Sequence, residues 1–460
     1  RNACCHGGKS SLNRNHSPLI CYLSENHTMM KPFLLFFLAF LCLGVTTAQQ
    51  SELKVKQDRL VDRIFKLAEF GMQENGETER VAFSDADIEA RNWVIQTLKG
   101  LGADVRVDAA GNIIGTRKGT DTAKKPIAFG SHIDRVPNGG NYDGCLGSMA
   151  ALEIIETLNE NNITTQHPLE VIIFPNEEGG VMGSRAMAGN LGNSAFPIVN
   201  ATGYSMGEGI MRIGGDTTKI DSAQREKGSL AAFLELHIEQ GGKLEKEQLD
   251  IGVVEGIVGL NWWDVVFTGF ANHAGTTPMN ARQDALLAAA KYIVAVNEIT
   301  NSFEGTQVGT VGRIKAEPGA PNVIPGKVVA SLEIRDLSSE VIQKVYRAIK
   351  EKTEEIAQAS NVSVEFLPLD TTAEPALTDT KIQKEIEAAA KALGLSFQYM
   401  PSGAGHDAQD ISRFAPVGMI FVPSKGGISH SPKEFTSAGD MANGANVLLH
   451  TILSLDKKLD

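Results

Sequence analysis

Short apolar runs that end in polar clusters constrain the fold of this chain more than any other feature of its sequence. Residues 127–130 and 171–174 have the length and composition of buried strands, and a polar cluster follows each of them. Between them, residues 146–158 place apolar side chains on one face of a helix. The succession of strand, polar loop, helix and strand predicts an α/β fold with a mostly parallel sheet. In such sheets, functional side chains collect beyond the carboxyl ends of the strands.

A different pattern begins near residue 255. Over residues 262–367 the sequence indicates four strands and two helices, which predicts a second, smaller α+β domain. The earlier pattern returns after it. We therefore predict a main domain made of residues 49–254 and 371–460, interrupted by an inserted domain over residues 255–370.

The longest apolar stretch lies near the amino terminus. It covers residues 33–45, which are too few to cross a bilayer as a helix. Two methionines and a lysine precede it and small residues follow it, an arrangement typical of a secretory signal peptide over residues 29–48 that is cleaved after Ala48. Residues 1–28 fit no part of such a signal, and we interpret them as an over-extended start. The pattern predicts export to the periplasm or the medium, with a cytoplasmic chain as the alternative.

Composition excludes several classes of protein. Apolar residues make up 42% and charged residues 21% of the 460 positions, which excludes a disordered chain, a collagen-like chain and a coiled coil. The formal net charge is −12 and Lys and Arg form no cluster, so we expect no nucleic-acid partner. Four of the five cysteines precede Ala48, so a chain cleaved there keeps Cys145 alone and forms no internal disulfide.

Two polar clusters follow the predicted strands of the first part of the chain. His132 ends a strand, and Asp134 is placed to accept a hydrogen bond from its second ring nitrogen. Asp143 stands just before a helix, where the helix dipole favours an ionised carboxylate able to bridge two cations. Glu177 and Glu178 follow the next strand and point different ways, so one can bind a metal while the other moves protons.

Two later clusters add imidazoles. His237 lies on an alternating strand, and His430 follows a strand that ends at residue 422. A single strand-end histidine is more often structural, and a Glu-Glu pair is usually a solvated loop. The occurrence of all these histidines and carboxylates together at strand ends is less easily explained by structural roles alone. Three imidazoles and two carboxylates suffice for two sites of the zinc type that share one bridging carboxylate.

Several motifs together carry a family resemblance: His132-x-Asp134, Asp143-Gly144, Glu177-Glu178, the later His430, His237 in His-Ile-Glu-Gln-Gly, and residues 272–279. They resemble the metallopeptidase M20 superfamily, and the last two are similar to its amidase branch. That branch contains N-carbamoyl-L-amino acid hydrolases, β-ureidopropionases and allantoate amidohydrolases. The resemblance covers residues 55–458. It implies that the main domain is a di-metal catalytic domain and that the insert is a lid that also forms a homodimer interface.

The resemblance also implies a role for each site residue. The metal ligands would be His132 and His237 for one ion, Glu178 and His430 for the other, and Asp143 as the bridge. Glu177 would be the general base, and His273 would provide a cation at the developing oxyanion once the lid closes.

The substrate would be bound by Gln240, Asn322 and Arg335. Arg335 has the planar fork that suits a carboxylate. From the residues alone, a pairing of Arg335 with Glu333 or Asp336 on the same strand stays open.

The activity implied is hydrolysis of a small, carboxylate-bearing ureido substrate, namely an N-carbamoyl-L-amino acid, to the amino acid, ammonia and carbon dioxide. The cofactor would be two divalent ions, Zn²⁺ first, with Mn²⁺ or Co²⁺ as alternatives. Allantoate amidohydrolase is the nearest alternative. An exopeptidase of the wider superfamily would be expected to carry a carboxylate at position 237 instead of His237. A metal-binding protein without turnover would have no need of Glu177.

One loop departs from the resemblance. N-carbamoylases of this branch carry a longer basic and aromatic stretch after Glu-Glu-Gly, whereas here residues 180–182 run directly into residues 183–185. Because this loop is expected beside the site, it bears on which substrate is bound.

Overall fold

Buried apolar strands form the centre of the molecule. The computed structural model describes residues 53–73 and 79–460. The predicted over-extended start (1–28) and signal peptide (29–48) lie outside the described residues. Within those residues, no helix combines the length and the apolar character that a membrane crossing requires.

The helices are numbered α1 to α11 along the described chain. Their bounds are α1 Gln57–Glu69, α2 Asp85–Gly100, α3 Cys145–Glu160, α4 Met182–Met187, α5 Met206–Arg212, α6 Lys243–Glu247, α7 Ala285–Ser302, α8 Ser339–Ala359, α9 Thr380–Ala392, α10 Asp407–Ile411 and α11 Ala438–Lys458.

The strands are numbered in the same way. Their bounds are β1 Asp104–Val107, β2 Ile113–Arg117, β3 Ile127–His132, β4 Leu169–Phe174, β5 Ala232–Ile238, β6 Ile251–Ile257, β7 Gly259–Thr268, β8 Asn272–His273, β9 Val308–Thr310, β10 Ile314–Glu317, β11 Val323–Ile324, β12 Lys327–Asp336, β13 Ser363–Ala373, β14 Ala376–Leu377, β15 Phe397–Ser402 and β16 Val417–Val422.

The larger sheet has a parallel centre, and its flanking pairings are antiparallel except that of β15 with β6, which is parallel. Its order is β1-β2-β4-β3-β5-β16-β6-β14, with β15 paired to β6. The neighbours β4-β3, β3-β5 and β5-β16 run parallel, and every residue of these four strands is buried. Burial on both faces explains why these strands are mostly apolar, although β5 alternates apolar residues with Glu235 and His237. The predicted α/β fold with a parallel-containing sheet is confirmed.

The smaller sheet is antiparallel and has one packed face. Its order is β10-β12-β7-β13, with β9 paired to β12. Along β12, buried and partly exposed residues alternate, and the buried side chains pack with residues of α7 and α8. Glu333 and Arg335 belong to the partly exposed set, so they lie on the face of the sheet away from these helices.

A two-stranded ribbon of β8 and β11 accompanies the smaller sheet, with His273 opposite Val323. Residues Lys54–Asp460 form one compact unit. The predicted domain boundaries at 255 and 370 therefore stay predictions.

Candidate metal centre

The candidate metal ligands lie where four parallel strands of the larger sheet end. His132 is the last residue of β3, and His237 is the second-last residue of β5. Glu178 follows β4, and His430 lies in the loop between β16 and α11. Because these strands are neighbours in the sheet, residues from distant parts of the sequence come together, and Asp143, two residues before α3, lies among them.

His132, His237 and Asp143 form one buried group of possible metal ligands. The Nδ1 atoms of the two rings lie 3.1 Å from the Asp134 carbonyl oxygen and 2.9 Å from the Ile238 carbonyl oxygen. A carbonyl only accepts hydrogen bonds, so each Nδ1 carries a hydrogen and each Nε2 faces Asp143. The distances from Nε2 to Asp143 Oδ1 are 3.8 Å for His132 and 3.2 Å for His237.

Asp143, Glu178 and His430 form a second group. His430 Nε2 lies 3.3 Å from Asp143 Oδ2 and 3.4 Å from Glu178 Oε2. Asp143 therefore faces one group with Oδ1 and the other with Oδ2. The structure brings together all five residues predicted as ligands, with the predicted bridge between the two groups.

The role expected of Asp134 needs a correction. Its carboxylate is not the hydrogen-bond partner of His132, because Oδ1 lies 3.8 Å from Nδ1 while the backbone oxygen of Asp134 lies at 3.1 Å. The carboxylate instead accepts hydrogen bonds from the backbone N–H groups of Glu177 and Glu178, both at 3.2 Å. Asp134 thus orients His132 through its backbone and fixes the loop of the two glutamates through its side chain.

Gly144 allows the ligands to approach one another. Its φ is +62°, a conformation that residues with a Cβ rarely adopt. A methyl group at this position would overlap the imidazole of His132. Glycine is therefore required at position 144, both by the backbone conformation and because a side chain there would collide with a ligand of the first group.

The charges of the site perturb its titration. Burial lowers the pKa of His132 to about 4. Burial also favours a lower pKa for His237. Its hydrogen bond to Asp143 and the charge of that carboxylate outweigh this effect and raise the pKa to about 9. The hydrogen bond to Asp143 raises the pKa of His430 to about 9. Burial and the charge of Asp143 raise the pKa of Glu178 to about 8.

Glu177 lies at the edge of the first group, with Oε2 3.6 Å from His132 Nε2. Burial, followed by the charge of Asp407, raises its pKa well above the ordinary value. It belongs to none of the three groups of possible ligands found among the described residues, the third of which is Glu235, His237 and His406. A buried carboxyl with high proton affinity beside a metal centre is suited to proton transfer.

The donor set fits divalent metal ions. Imidazole nitrogens and carboxylate oxygens are the ligands that Zn²⁺ and similar ions take in proteins. The ligand atoms of each group lie within 4.8 Å of one another. Carboxylates buried this closely together need cations to balance them.

A cavity of about 270 Å³ opens onto this centre. Gln240 and Arg335, both predicted to bind substrate, line it together with His406. Gln240 Nε2 donates to Asp143 Oδ2 at 2.7 Å, while its buried Oε1 has no hydrogen-bond partner among the described residues. A substrate N–H group could satisfy that oxygen.

Arg335 reaches the cavity and is also paired within its strand. Its Nε and Nη2 donate to Glu333 Oε1 and Oε2 at 2.8 and 3.3 Å, and its Nη1 donates to the Gly403 carbonyl at 2.7 Å. The pairing with Glu333 that the sequence left open is therefore present, and Arg335 also lines the metal cavity.

His273 and Asn322 lie near each other but away from the ligands. Both are exposed and adjoin the β8–β11 ribbon, where the Ala274 N–H donates to the Asn322 carbonyl at 3.0 Å. Neither lines the cavity at the metal centre. Their predicted contacts with the substrate therefore stay predictions.

Sequence reasoning missed two residues behind Asp143. The Ser429 hydroxyl lies 2.7 Å from Asp143 Oδ2 and 2.9 Å from Glu434 Oε2. Glu434 Oε1 accepts the backbone N–H groups of Tyr142 and Asp143 at 2.8 and 3.1 Å. The only sequence feature that could have indicated either residue was the position of Ser429 directly before His430.

His406 was not among the predicted site residues, although it lines the cavity. Its ring centroid lies 4.5 Å from that of His237, and its Nε2 lies 2.8 Å from the Ser402 hydroxyl. Below it, Glu235 is fully buried and accepts hydrogen bonds from the Ser131 hydroxyl and the Ala408 N–H. This buried polar layer supports His237 from behind.

Comparison with known proteins agrees with this geometry. The model of peptidase family M20/M25/M40 matches residues 128–454. An N-carbamoyl-L-amino acid amidohydrolase of Geobacillus stearothermophilus is 41% identical over 87% of this chain and 99% of its own length. An allantoate amidohydrolase of Bacillus subtilis is 33% identical over 88% of this chain and 99% of its own.

A solved structure shows the same fold. The amidase of the hydantoinase/carbamoylase family from Burkholderia multivorans superposes with a TM-score of 0.82 and is 34% identical in sequence. The similarity covers 88% of this chain and 98% of the other.

Proposed function

Because the chain belongs to peptidase family M20/M25/M40, we propose that it is a metal-dependent amidohydrolase that converts N-carbamoyl-L-amino acids to amino acids, ammonia and carbon dioxide. Its relatives hydrolyse carbon–nitrogen bonds other than peptide bonds, and this chain is a hydrolase of the same kind. The observation that carries the proposal is the position of Asp143 between two ligand groups, with Glu177 beside them.

Two divalent ions would occupy the centre. His132 and His237 would hold one, Glu178 and His430 would hold the other, and Asp143 would bridge them. Imidazole and carboxylate ligands favour Zn²⁺, and Mn²⁺ or Co²⁺ would fit the same donors. When bound, the metal pair supplies Lewis acidity that activates water and polarises the carbonyl of the substrate.

Glu177 moves the proton. Its carboxylate accepts a proton from the attacking water and then delivers it to the leaving nitrogen, so the base of the first step is the acid of the second. A raised pKa suits both steps, because the group must hold the proton between them. His273 would provide a positive charge to the oxyanion after the insert approaches the centre.

Three residues would recognise the substrate. Arg335 would bind the α-carboxylate through its terminal Nη atoms, since the residue lines the cavity. Gln240 would accept a ureido N–H with the buried oxygen that has no partner among the described residues. Asn322 would add an amide contact from the ribbon.

Allantoate is the second candidate substrate, because the same centre can cleave a bis-ureido acid and a relative bears that name. An exopeptidase fits less well, since His237 stands where we expect a carboxylate in that group. A non-catalytic metal protein fits less well too, because it would not need Glu177.

We also propose that the protein is a homodimer through the inserted domain. Leu287 and Val294 on α7 are 48% and 56% exposed and lie on one face of the helix, which supports a contact there. Sedimentation of the purified protein tests this proposal.

The test of the proposed function is ammonia release by metal-loaded protein. The substrates are N-carbamoyl-L-amino acids, allantoate and a dipeptide, and Glu177→Gln is the control for adventitious activity. We expect turnover of the N-carbamoyl-L-amino acids at rates well above allantoate. Turnover of the dipeptide alone, or equal release by the control variant, would refute the proposal.

A further inference from the structure

A second, larger cavity adjoins the metal cavity. Its volume is about 680 Å³, and it lies between α4, α10 and the residues that follow β13. Val181 lines both cavities. The two cavities therefore adjoin at this residue.

Val181 is held in an unfavourable backbone conformation. Its φ and ψ are 49° and 40°, in the left-handed region that a β-branched residue seldom adopts. Its N–H donates to the Glu177 carbonyl at 2.7 Å, and the Gly180 N–H donates to the same oxygen at 2.9 Å. The boundary between the cavities is thus fixed to the backbone of Glu177. Strain that persists beside a reaction centre indicates a functional constraint.

Arg185 lines this cavity without a direct ion pair within the described part of the chain, although its charge opposes the rise that burial causes in the pKa of Asp410. It is half-buried, and its two hydrogen bonds are long, at 3.5 Å to the Gly180 carbonyl and 3.4 Å to the Asn190 carbonyl. No carboxylate of the described residues forms an ion pair with it, whereas Arg413 in the same cavity pairs with Asp410 at 3.3 Å. Arg185 therefore keeps donors available for an anion.

We propose that the second cavity receives the side chain of the substrate and that Arg185 binds an anionic group at its end. This inference rests on the proposed function. It names the substrate class as N-carbamoyl derivatives of acidic amino acids, with a chain long enough to pass Val181. The α-carboxylate would pair with Arg335 in the first cavity and the side-chain carboxylate with Arg185 in the second.

Glu374 offers the rival specificity. Its exposed carboxylate lines the same cavity and accepts a hydrogen bond from the Ser339 hydroxyl at 2.8 Å. A basic side chain would pair with Glu374 instead of Arg185. We favour Arg185 because it contacts the carbonyl of Gly180, the residue next to Val181, and so lies close to the boundary between the cavities.

The test compares two substrates of nearly equal shape, N-carbamoyl-L-glutamate and N-carbamoyl-L-glutamine. We expect the wild-type enzyme to prefer the glutamate derivative in kcat/KM. Arg185→Met should lower kcat/KM for that derivative roughly ten- to a hundred-fold and change the glutamine derivative by less than about threefold. Arg185→Lys, which keeps the charge, should lose less. Arg413→Met is the matched control. We expect it to lower kcat/KM for the glutamate derivative no more than for the glutamine derivative.

Binding separates this inference from the proposed function. Calorimetry with metal-loaded Glu177→Gln measures affinity for the two derivatives without turnover, alone and combined with Arg185→Met. Tighter binding of the glutamate derivative that depends on Arg185 supports the subsite even if the wild-type enzyme hydrolyses neither compound. Turnover of other N-carbamoyl-L-amino acids, with no preference for glutamate and no effect of Arg185→Met, overturns the subsite and leaves the proposed function intact. Preference for N-carbamoyl-L-lysine also overturns it.

Discussion

Glu434 sets the position of the carboxylate that the two ligand groups share. Its Oε1 accepts the N–H groups of Tyr142 and Asp143, and its Oε2 lies 2.9 Å from the Ser429 hydroxyl. That hydroxyl has one proton and also lies 2.7 Å from Asp143 Oδ2, so it links the two carboxylates. Burial and the charge of Asp143 raise the pKa of Glu434. Replacing Glu434 should therefore move Asp143 without removing any ligand.

Two substitutions separate geometry from charge. Glu434→Leu leaves two buried N–H groups without an acceptor, at about 1–3 kcal/mol each. We expect part of this free-energy cost to lower the stability of the fold. The rest should lower the metal affinity, which typically falls about 10- to 100-fold when a residue that supports the ligands is changed. Glu434→Gln keeps an oxygen for both N–H groups and loses only the charge, so its loss should be below about tenfold.

Chelator competition measures the affinity of each variant, and elemental analysis gives the metal content per chain. Glu170→Leu is the control, because it removes another buried carboxylate, one that pairs with Arg225 at 2.7 Å away from the ligands. It should lower stability and leave metal affinity unchanged. Gly140→Ala is an independent perturbation, since its methyl group would overlap the Glu434 carboxylate. Wild-type metal affinity in Glu434→Leu, or an equal loss in Glu434→Gln, would refute this account.

Four further predictions address the other parts of the site and the chain. Glu177→Gln should abolish turnover but keep two metals per chain by elemental analysis, and lost metal would make Glu177 a ligand. Arg335→Lys should lower kcat/KM for carboxylate substrates by the equivalent of about 1.5–3 kcal/mol and change it little for their amides. Equal losses for both would mean that Arg335 has a structural role. In the metal-free protein, Glu178 (pKa about 8), His237 (pKa about 9) and His430 (pKa about 9) hold protons at neutral pH. Metal must displace them, so affinity should rise with pH up to about 9, by as much as roughly tenfold per unit for each proton, and chelator competition that shows no rise would contradict this. Amino-terminal sequencing of exported protein should begin near Gln49; an intact upstream segment would refute cleavage.

The fold was predictable where burial leaves a local pattern. β3, β4 and β16 are buried on both faces, so they appear in the sequence as short, mostly apolar runs followed by polar residues, whereas β5 appeared as an alternating strand. The order of the strands is not a local property. Apolar runs do not say that β16, near the end of the chain, lies next to β5. The antiparallel flanks of the larger sheet were likewise not foreseen.

Side-chain partners inside the site were less predictable than the ligands. The spacing of His132 and Asp134 suggested a carboxylate contact, but the turn after β3 brings the backbone oxygen closer. Spacing alone cannot distinguish the two, because both atoms belong to one residue. For Arg335, spacing correctly left a pairing with Glu333 open, but only the structure shows that the same residue also lines the cavity.

The position of Asp143 shows why the site depends on the whole sheet. Its carboxylate receives a hydrogen bond from Gln240, which follows β5, and contacts Ser429, which follows β16. Because β3, β5 and β16 are adjacent, these contacts converge on one carboxylate from segments nearly 300 residues apart. A change in strand order would separate them while leaving every local motif intact. The residues that make up the centre are therefore readable in the sequence, but their convergence follows from the order of the parallel strands.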